Sequence, residues 1–217
     1  MGNQRLDKVL SNQGYGTRKE IKKIIRDGAV QVDEKIVSDP GMHVDPETQK
    51  LYVNGRQVFY RNYIYLMMNK PQGVISATED ERERTVLDLL PEEYASFKPA
   101  PAGRLDKDTT GLLILTNDGR LAHDIISPKK HMPKIYHARV KGEVTKQDVD
   151  RFSEGIVLDD GYKTLPSRLS IMERGQISAV EIEIYEGKYH QIKRMFEAVG
   201  KAVVFLTRVS VGPVMLD

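Results

Sequence analysis

Asp106 is the carboxylate of this chain whose surroundings point most directly to chemistry. It stands in the run Gly103-Arg104-Leu105-Asp106-Lys107-Asp108-Thr109-Thr110-Gly111-Leu112-Leu113-Ile114-Leu115-Thr116-Asn117-Asp118-Gly119. An Arg and an Asp flank one Leu, a polar turn follows, and Leu112 to Leu115 then predict a buried strand. Asp106 is thereby expected on a loop braced by a rigid element, where functional carboxylates are commonly held. A carboxylate nucleophile works ionised and beside an electrophilic carbon. A nearby cation keeps it ionised. Arg104 is a candidate contact to a phosphate.

Other readings of the same run compete. Asp108 with Thr109 and Thr110 reads first as the cap of a turn rather than as a catalytic group. Asp106 and Asp108 together form a carboxylate pair of the kind that holds magnesium. Asp-x-Asp-x-Thr also resembles aspartate-dependent phosphatases of the haloacid dehalogenase type. There the first Asp follows directly on an apolar strand, whereas Lys98 to Arg104 contains two Pro and a Gly. The remaining His residues show no metal-ligand spacing, and no metal is expected.

The elements that must position this run follow from local pattern. Tyr63 to Met68 predicts a strand ended by Lys70-Pro71-Gln72-Gly73, and Thr85 to Leu90 a short helix closed by Pro91. Asn117-Asp118-Gly119 turns the chain into a helix carrying Leu121, Ala122, Ile125 and Ile126. Ile135 to Val140 predicts a strand and Thr145 to Phe152 a helix. Val180, Ile182 and Ile184 alternate with Glu181 and Glu183, the period of a half-solvated strand. Ile192, Met195, Phe196 and Val199 have helical spacing up to Gly200, and Val203 to Leu206 predicts a last strand. Residues 63 to 217 therefore read as an α+β domain with a mixed, largely antiparallel sheet flanked by helices.

The N-terminal part differs in composition. Residues 1 to 28 hold seven basic side chains against three acidic ones, although the whole chain of 217 residues sums only to +2. Leu6, Val9 and Leu10 predict one helix, ended by Gly14. Thr17 with Glu20 predicts a capping box that opens a second helix, with Ile21, Ile24 and Ile25 as its apolar stripe and Gly28 as its stop. Arg18, Lys22 and Arg26 are spaced four apart, with Lys19 and Lys23 beside them, so the cations share the outer side. Short strands are expected at Val30 to Val32, Lys35 to Val37 and Lys50 to Val53, the last ending at the turn signal Asn54-Gly55. Residues 1 to 58 thus form a small module, Arg56 to Asn62 reads as connecting chain with 59 to 62 as the linker, and the larger domain follows. A module this small is marginal on its own. A second basic segment, Ser127 to Lys141, carries Lys129, Lys130, Lys134, Arg139 and Lys141 with no Asp or Glu. Localised positive charge points to a polyanion, and phosphate contacts release its condensed counterions.

Several classes are excluded or disfavoured. The chain has no Cys, so disulfides, thiolate zinc sites and cysteine nucleophiles are ruled out. No apolar stretch approaches the ~18 residues of a membrane span. Met1 to Lys8 lack the apolar core of a signal peptide, and Gly2 lacks the Ser or Thr a myristoylation motif needs at Leu6. A cytoplasmic protein is expected. No coiled coil or swapped strand is suggested, so a monomer is expected.

Two resemblances give these features a common meaning. Residues 5 to 55, from Arg5-Leu6-Asp7-Lys8-Val9-Leu10 through Thr17-Arg18-Lys19 to Gly28-Ala29-Val30-Gln31-Val32-Asp33, resemble the RNA-binding module first named for ribosomal small-subunit protein four. That family often has Ser in place of Thr17 and Asn-Gly in place of Asp33-Glu34. The run from Gly103 to Gly119 resembles the catalytic motif of pseudouridine synthases, and more narrowly of the ribosomal RNA family that includes the small-subunit enzyme. Lys134-Ile135-Tyr136-His137-Ala138-Arg139-Val140 resembles its Lys-x-Tyr strand. Glu186-Gly187-Lys188-Tyr189-His190-Gln191-Ile192-Lys193-Arg194-Met195 resembles its third active-site motif, and Lys70-Pro71-x-Gly73 an early segment of the catalytic domain.

The resemblance implies that uridine in ribosomal RNA, that of the small (16S) subunit, is isomerised without redox cofactor, nucleotide or metal. Asp106 is implied as nucleophile or essential carboxylate, Tyr136 as the ring that stacks on the target base, and Lys193 as the basic group that pairs with Asp106. Related synthases of other families more often carry Arg at the position of Lys193, and a lysine lacks that residue's bidentate fork. Arg194 is a candidate to share this role, and His190 reads as a hydrogen-bonded structural residue. Arg104, Arg18, Lys19, Lys22, Lys23, Arg26, Lys134, Gln191 and Arg194 are the implied RNA contacts. The base must leave its stack, at a cost of a few kcal/mol, and a bipartite grip is expected: the module on a neighbouring helix, the larger domain on the everted uridine. The 23S large-subunit RNA, or a noncatalytic assembly factor on the same fold, are the alternatives.

Overall fold

A computed structural model of the chain describes residues 2–216. Met1 and Asp217, the outer ends of the expected module and domain, lie outside the described residues. The chain divides into two compact units, one running to Ile64 and including Leu89–Pro99, the other comprising Tyr65–Asp88 and the chain from Ala100 onward.

The first unit contains β1 (Gln4–Arg5), α1 (Leu6–Asn12), α2 (Arg18–Arg26), β2 (Val30–Val32), β3 (Lys35–Ile36), β4 (His43–Val44), β5 (Leu51–Val53) and β6 (Arg56–Val58), with the single turn α3 (Glu92–Ala95). The capping box at α2 is formed: Thr17 Oγ1 accepts from the Glu20 amide and Glu20 accepts from the Thr17 amide. Leu6, Val9, Leu10, Ile21 and Ile25 are buried with Val30, Val32, Val44, Leu51 and Val53 in one core. The sheet order is β3-β2-β5-β6. Arg56 to Val58, read from sequence as connecting chain, are its fourth strand, because Asn54 and Gly55 both adopt positive φ and turn β6 straight back onto β5. Asp33 and Glu34 make the equivalent turn between β2 and β3, also with positive φ. Asp7 is buried at the start of α1 and receives two hydrogen bonds from Arg5, of 3.1 and 3.0 Å.

The second unit is built on an eight-stranded sheet. Its strands are β7 (Tyr65–Lys70), β8 (Ala100–Pro101), β9 (Thr110–Thr116), β10 (Lys134–Lys141), β11 (Arg168–Glu173), β12 (Ile177–Ile184), β13 (Ala202–Val211) and β14 (Val214–Met215), and its helices α4 (Gly119–Ile126), α5 (Lys146–Glu154) and α6 (Gln191–Glu197). The main order is β11-β12-β10-β13-β9-β7, with β14 on β13 and β8 on β9. Every pairing is antiparallel except β13 with β9. The α+β reading with a mixed, mostly antiparallel sheet holds. Three details differ from expectation. The helix expected over Thr85 to Leu90 is one 3-10 turn at Leu87–Leu89, β7 is shifted toward Lys70, and β13 runs well past Leu206.

One row across the sheet fixes the centre of the unit. Tyr136 of β10 pairs with Arg208 of β13, and Arg208 pairs with Gly111 of β9. Gly111 has φ +102, and a Cβ there would lie 2.2 Å from the Arg208 carbonyl oxygen and 2.6 Å from its nitrogen. The close parallel approach therefore requires glycine. Gly111→Ala is expected to destabilise the protein by about 3 kcal/mol, from backbone strain and displacement of a central strand. The urea midpoint, at unchanged slope, measures it.

Candidate active site

Asp106 sits on the loop between β8 and β9, and that loop is held from below by β7 and the turn after it. Lys70, at the end of β7, is fully buried. Its Nζ donates to the carbonyls of Pro71 at 3.0 Å, Asp106 at 3.0 Å and Thr109 at 2.9 Å. Burial lowers its pKa, against the opposing charges of Asp108 and Asp106. Ser76 grips both sides of Leu105: its Oγ donates to the Leu105 carbonyl at 2.9 Å and accepts from the Leu105 amide at 3.0 Å. The Gly73 amide donates to Lys107 O at 2.8 Å, and the Gln72 side chain to Asp108 O at 3.0 Å. Main-chain atoms of residues 105 to 109 are thus clamped, which fixes the Asp106 carboxylate without using it.

The carboxylate meets the Lys193 ammonium of α6 and the His190 ring at that helix's N-cap. Lys193 Nζ lies 3.3 Å from Asp106 Oδ2 and 2.6 Å from Asp108 Oδ1. His190 Nε2 is 3.6 Å from Asp106 Oδ1. His190 itself is the N-cap of α6 in left-handed backbone, φ +48, and its ring stacks on Tyr189 at 3.8 Å between centroids. On the other side, Tyr136 is almost fully buried, its hydroxyl accepts from Arg208 Nη1 at 3.4 Å, and the Arg208 guanidinium lies 5.9 Å from its ring centroid. Arg208 Nε donates to the Leu112 carbonyl at 2.7 Å, tying the cation to β9.

A solvent-open pocket of about 80 Å³ is lined by Arg104, Asp106, Tyr136, His190, Gln191 and Lys193 among others. Asp106, Tyr136, Lys193, Arg104 and Gln191 are therefore brought together. Gln191 is buried and already committed, donating to Glu186 Oε1 at 3.0 Å and accepting from the Lys188 amide at 2.9 Å. Lys134 does not line the pocket. Its ammonium donates to the Met132 carbonyl at 3.1 Å, and burial lowers its pKa, helped by the charge of Arg208. Arg18, Lys19, Lys23 and Arg26 are exposed on α2 of the first unit, and Lys22 is half-buried.

Three expectations need correction. Arg194 does not share the role of Lys193: its guanidinium pairs with Asp159 and Asp160, because α6 turns it to the opposite side from Lys193's partners. Asp108 is not merely a turn cap, since it is the nearer carboxylate of Lys193. His190, read as a hydrogen-bonded structural residue, stacks its ring on Tyr189 and stands with Nε2 3.6 Å from Asp106 Oδ1, on the lining of the pocket. Among the described residues no cluster of three or more His, Asp or Glu has the geometry to hold a metal. Asp106 and Asp108 share the Lys193 ammonium.

The Lys193 hydrogen bond holds the Asp108 carboxyl below the usual carboxylate range, with His190 and the Lys193 charge assisting against burial. A depressed folded pKa gives stability that is present above the unfolded value and lost as pH falls through the folded one. The stability difference between wild type and Asp108→Asn is expected to be constant from neutral pH to about 5 and to shrink below about 4. Chemical denaturation across that range measures it.

Residues 64–198 match the RNA pseudouridylate synthase family and residues 4–50 the S4 domain. The chain is 53% identical over 98% of its length to the uncharacterized RNA pseudouridine synthase YtzG of Bacillus subtilis, covering 90% of that protein. It is 38% identical to ribosomal large subunit pseudouridine synthase B of Bacillus subtilis, over 94% of this chain and 84% of that one. It is also 38% identical to ribosomal small subunit pseudouridine synthase A of Escherichia coli, over 98% and 91%. A crystal structure of a pseudouridylate synthase superposes with TM-score 0.67 at 35% identity, covering 98% of this chain and 90% of that one. The chain belongs to the family of RNA pseudouridine synthases with an N-terminal S4 domain, and is an isomerase. Among the described residues no helix is long and apolar enough to cross a membrane.

Proposed function

We propose that this enzyme isomerises a specific uridine of ribosomal RNA in the cytoplasm, in the small subunit, with Asp106 as nucleophile. The observation that carries the reading is the convergence of Asp106, Lys193 and Tyr136 on one pocket in a chain of this family. The reaction breaks the bond between N1 of uracil and C1′ of ribose, rotates the base, and joins C5 to C1′, while the proton on C5 is lost and N1 gains one. Atoms balance without a co-reactant. Lys193 holds positive charge against Asp106, and the Tyr136 ring, fixed by Arg208, forms a wall on which the base stacks. The small-subunit assignment is supported by the match to small subunit pseudouridine synthase A across 98% of the chain. The equal identity to large subunit synthase B supports the large-subunit RNA as a second reading. Mapping pseudouridines in both ribosomal RNAs from cells lacking the protein separates them: one lost site in 16S RNA supports the proposal, one in 23S RNA the second reading, and an unchanged map neither.

The two units divide the work in this proposal. The domain takes the everted uridine, and α2 grips phosphates of a neighbouring helix through Arg18, Lys19, Lys22, Lys23 and Arg26. Changing Lys19, Lys22 and Lys23 to Gln is expected to weaken RNA binding and to flatten its dependence on log salt by roughly 2 to 3, one phosphate contact for each cation lost. Unchanged binding across a salt titration removes α2 from the interface.

A further inference from the structure

Tyr189 is the most exposed large ring of the second unit, with 74% of its surface open, although it neighbours the pocket. It is presented rather than loose. Its ring lies nearly parallel to that of His190, at an angle of 18°. Its carbonyl accepts from Arg194 Nη1 at 3.4 Å, and Arg194 is anchored on Asp159 and Asp160. The segment around it is braced again by Glu186, which accepts from the Tyr162 hydroxyl at 2.6 Å, the Leu165 amide at 2.9 Å and the Gln191 side chain at 3.0 Å. A single exposed ring is ordinary on a protein surface; what distinguishes Tyr189 is that its ring is held against His190, which lines the Asp106 pocket.

His190 also stands on a divide. The pocket that holds Tyr136 and Arg104 lies against it, and a second, wider depression lined by Gln72, Gly73, Lys107 and Asp108 shares Asp106, His190 and Lys193 with the first. The sugar-phosphate chain continues on both sides of an everted uridine, so an adjoining nucleotide lies at the rim of the Asp106 pocket, where Lys188 and His190, the chain neighbours of Tyr189, contribute to the lining. Every base offers a π-face, and stacking on protein aromatics is a sequence-tolerant way to hold one.

We propose that the Tyr189–His190 stack is a platform for the nucleobase adjacent to the target uridine. The proposal rests on the reading of the Asp106 pocket as the uridine site. It makes Tyr189 a substrate-positioning residue, acting through its ring and not its hydroxyl, that holds the flanking nucleotide whatever its base.

The test uses the full-length protein and RNA oligonucleotides spanning the mapped uridine, intact or with an abasic nucleotide on its 5′ or its 3′ side. Tyr189→Ala is expected to raise KM about tenfold on intact RNA with kcat nearly unchanged, and Tyr189→Phe to stay within about twofold of wild type. One of the two abasic RNAs is expected to raise the wild-type KM to the same degree, and Tyr189→Ala to lose nothing further on it. Thermal melting of each variant checks that it is folded. Unchanged KM in Tyr189→Ala, or an equal loss on intact and both abasic RNAs, overturns the platform. Asp106→Asn measured alongside separates the two readings. If that variant is inactive while Tyr189→Ala matches wild type, the pocket stands and the platform falls; if it is active, both fall.

Discussion

Asp106→Asn is expected to abolish pseudouridine formation, by about 10³-fold or more, while leaving RNA affinity within about twofold. A loss of that size is roughly 4 kcal/mol of transition-state stabilisation. The substitution keeps the size and outline of the side chain but removes the charge that faces Lys193 at 3.3 Å. The loop stays in place because Lys70, Ser76 and Gly73 hold its main chain and not the carboxylate. Binding persists because the phosphate contacts lie elsewhere in the proposed grip. Release of tritium from C5-labelled uridine in ribosomal RNA measures turnover, and filter binding measures affinity. Substantial activity in the folded variant would remove Asp106 from the chemistry.

Lys70→Met is expected to cost about 3–5 kcal/mol of stability and to slow the folded enzyme about 100-fold. Two effects oppose each other here. Replacing a buried ammonium with an apolar chain of similar length relieves desolvation, which favours the variant. The carbonyls of Pro71, Asp106 and Thr109 remain, however, and lose a charged donor each held at 2.9–3.0 Å. The Asp106 carbonyl still accepts from the Thr109 amide at 3.1 Å, but an acceptor left unpaired costs roughly 1–3 kcal/mol, and the loss at the Pro71 and Thr109 carbonyls outweighs the relief. The chemical effect follows from position: a reacting group displaced by about 1 Å loses about two orders of magnitude in rate. Urea unfolding and the tritium assay give the two numbers separately. Stability within about 1 kcal/mol together with full turnover contradicts the clamp.

Local features of this fold were legible in the sequence. The capping box at Thr17, the turn at Asn54-Gly55, the turn at Asn117-Asp118-Gly119 into α4 and the alternation of β12 each depend on residues within a few positions of one another, and each forms where expected. The motif around Asp106 and its companions Tyr136 and Lys193 was legible through resemblance, and the geometry unites them in one pocket. What stayed hidden depends on partners far apart in the chain. Arg208 lies beyond the strand expected at Val203 to Leu206, yet it is buried, because the row from Tyr136 to Gly111 supplies its contacts. Arg194 faces Asp159 and Asp160, 35 and 34 positions away, rather than Asp106. Ser76 carries no pattern at all, and its grip on Leu105 arises only when the turn after β7 folds under the loop. β11 escaped because its outer residues, Met172 among them, remain exposed and interrupt the alternation that marks a half-buried strand.

The central claim is that Asp106 receives an everted uridine between Lys193 and Tyr136. A crystal structure of Asp106→Asn with an RNA oligonucleotide spanning the mapped uridine tests it most directly. The uracil is expected on the Tyr136 ring, with C1′ of its ribose about 3–3.5 Å from the side chain at position 106, the separation of a near-attack geometry. A uridine still stacked in its helix, or bound with its ribose turned away from that side chain, contradicts the account.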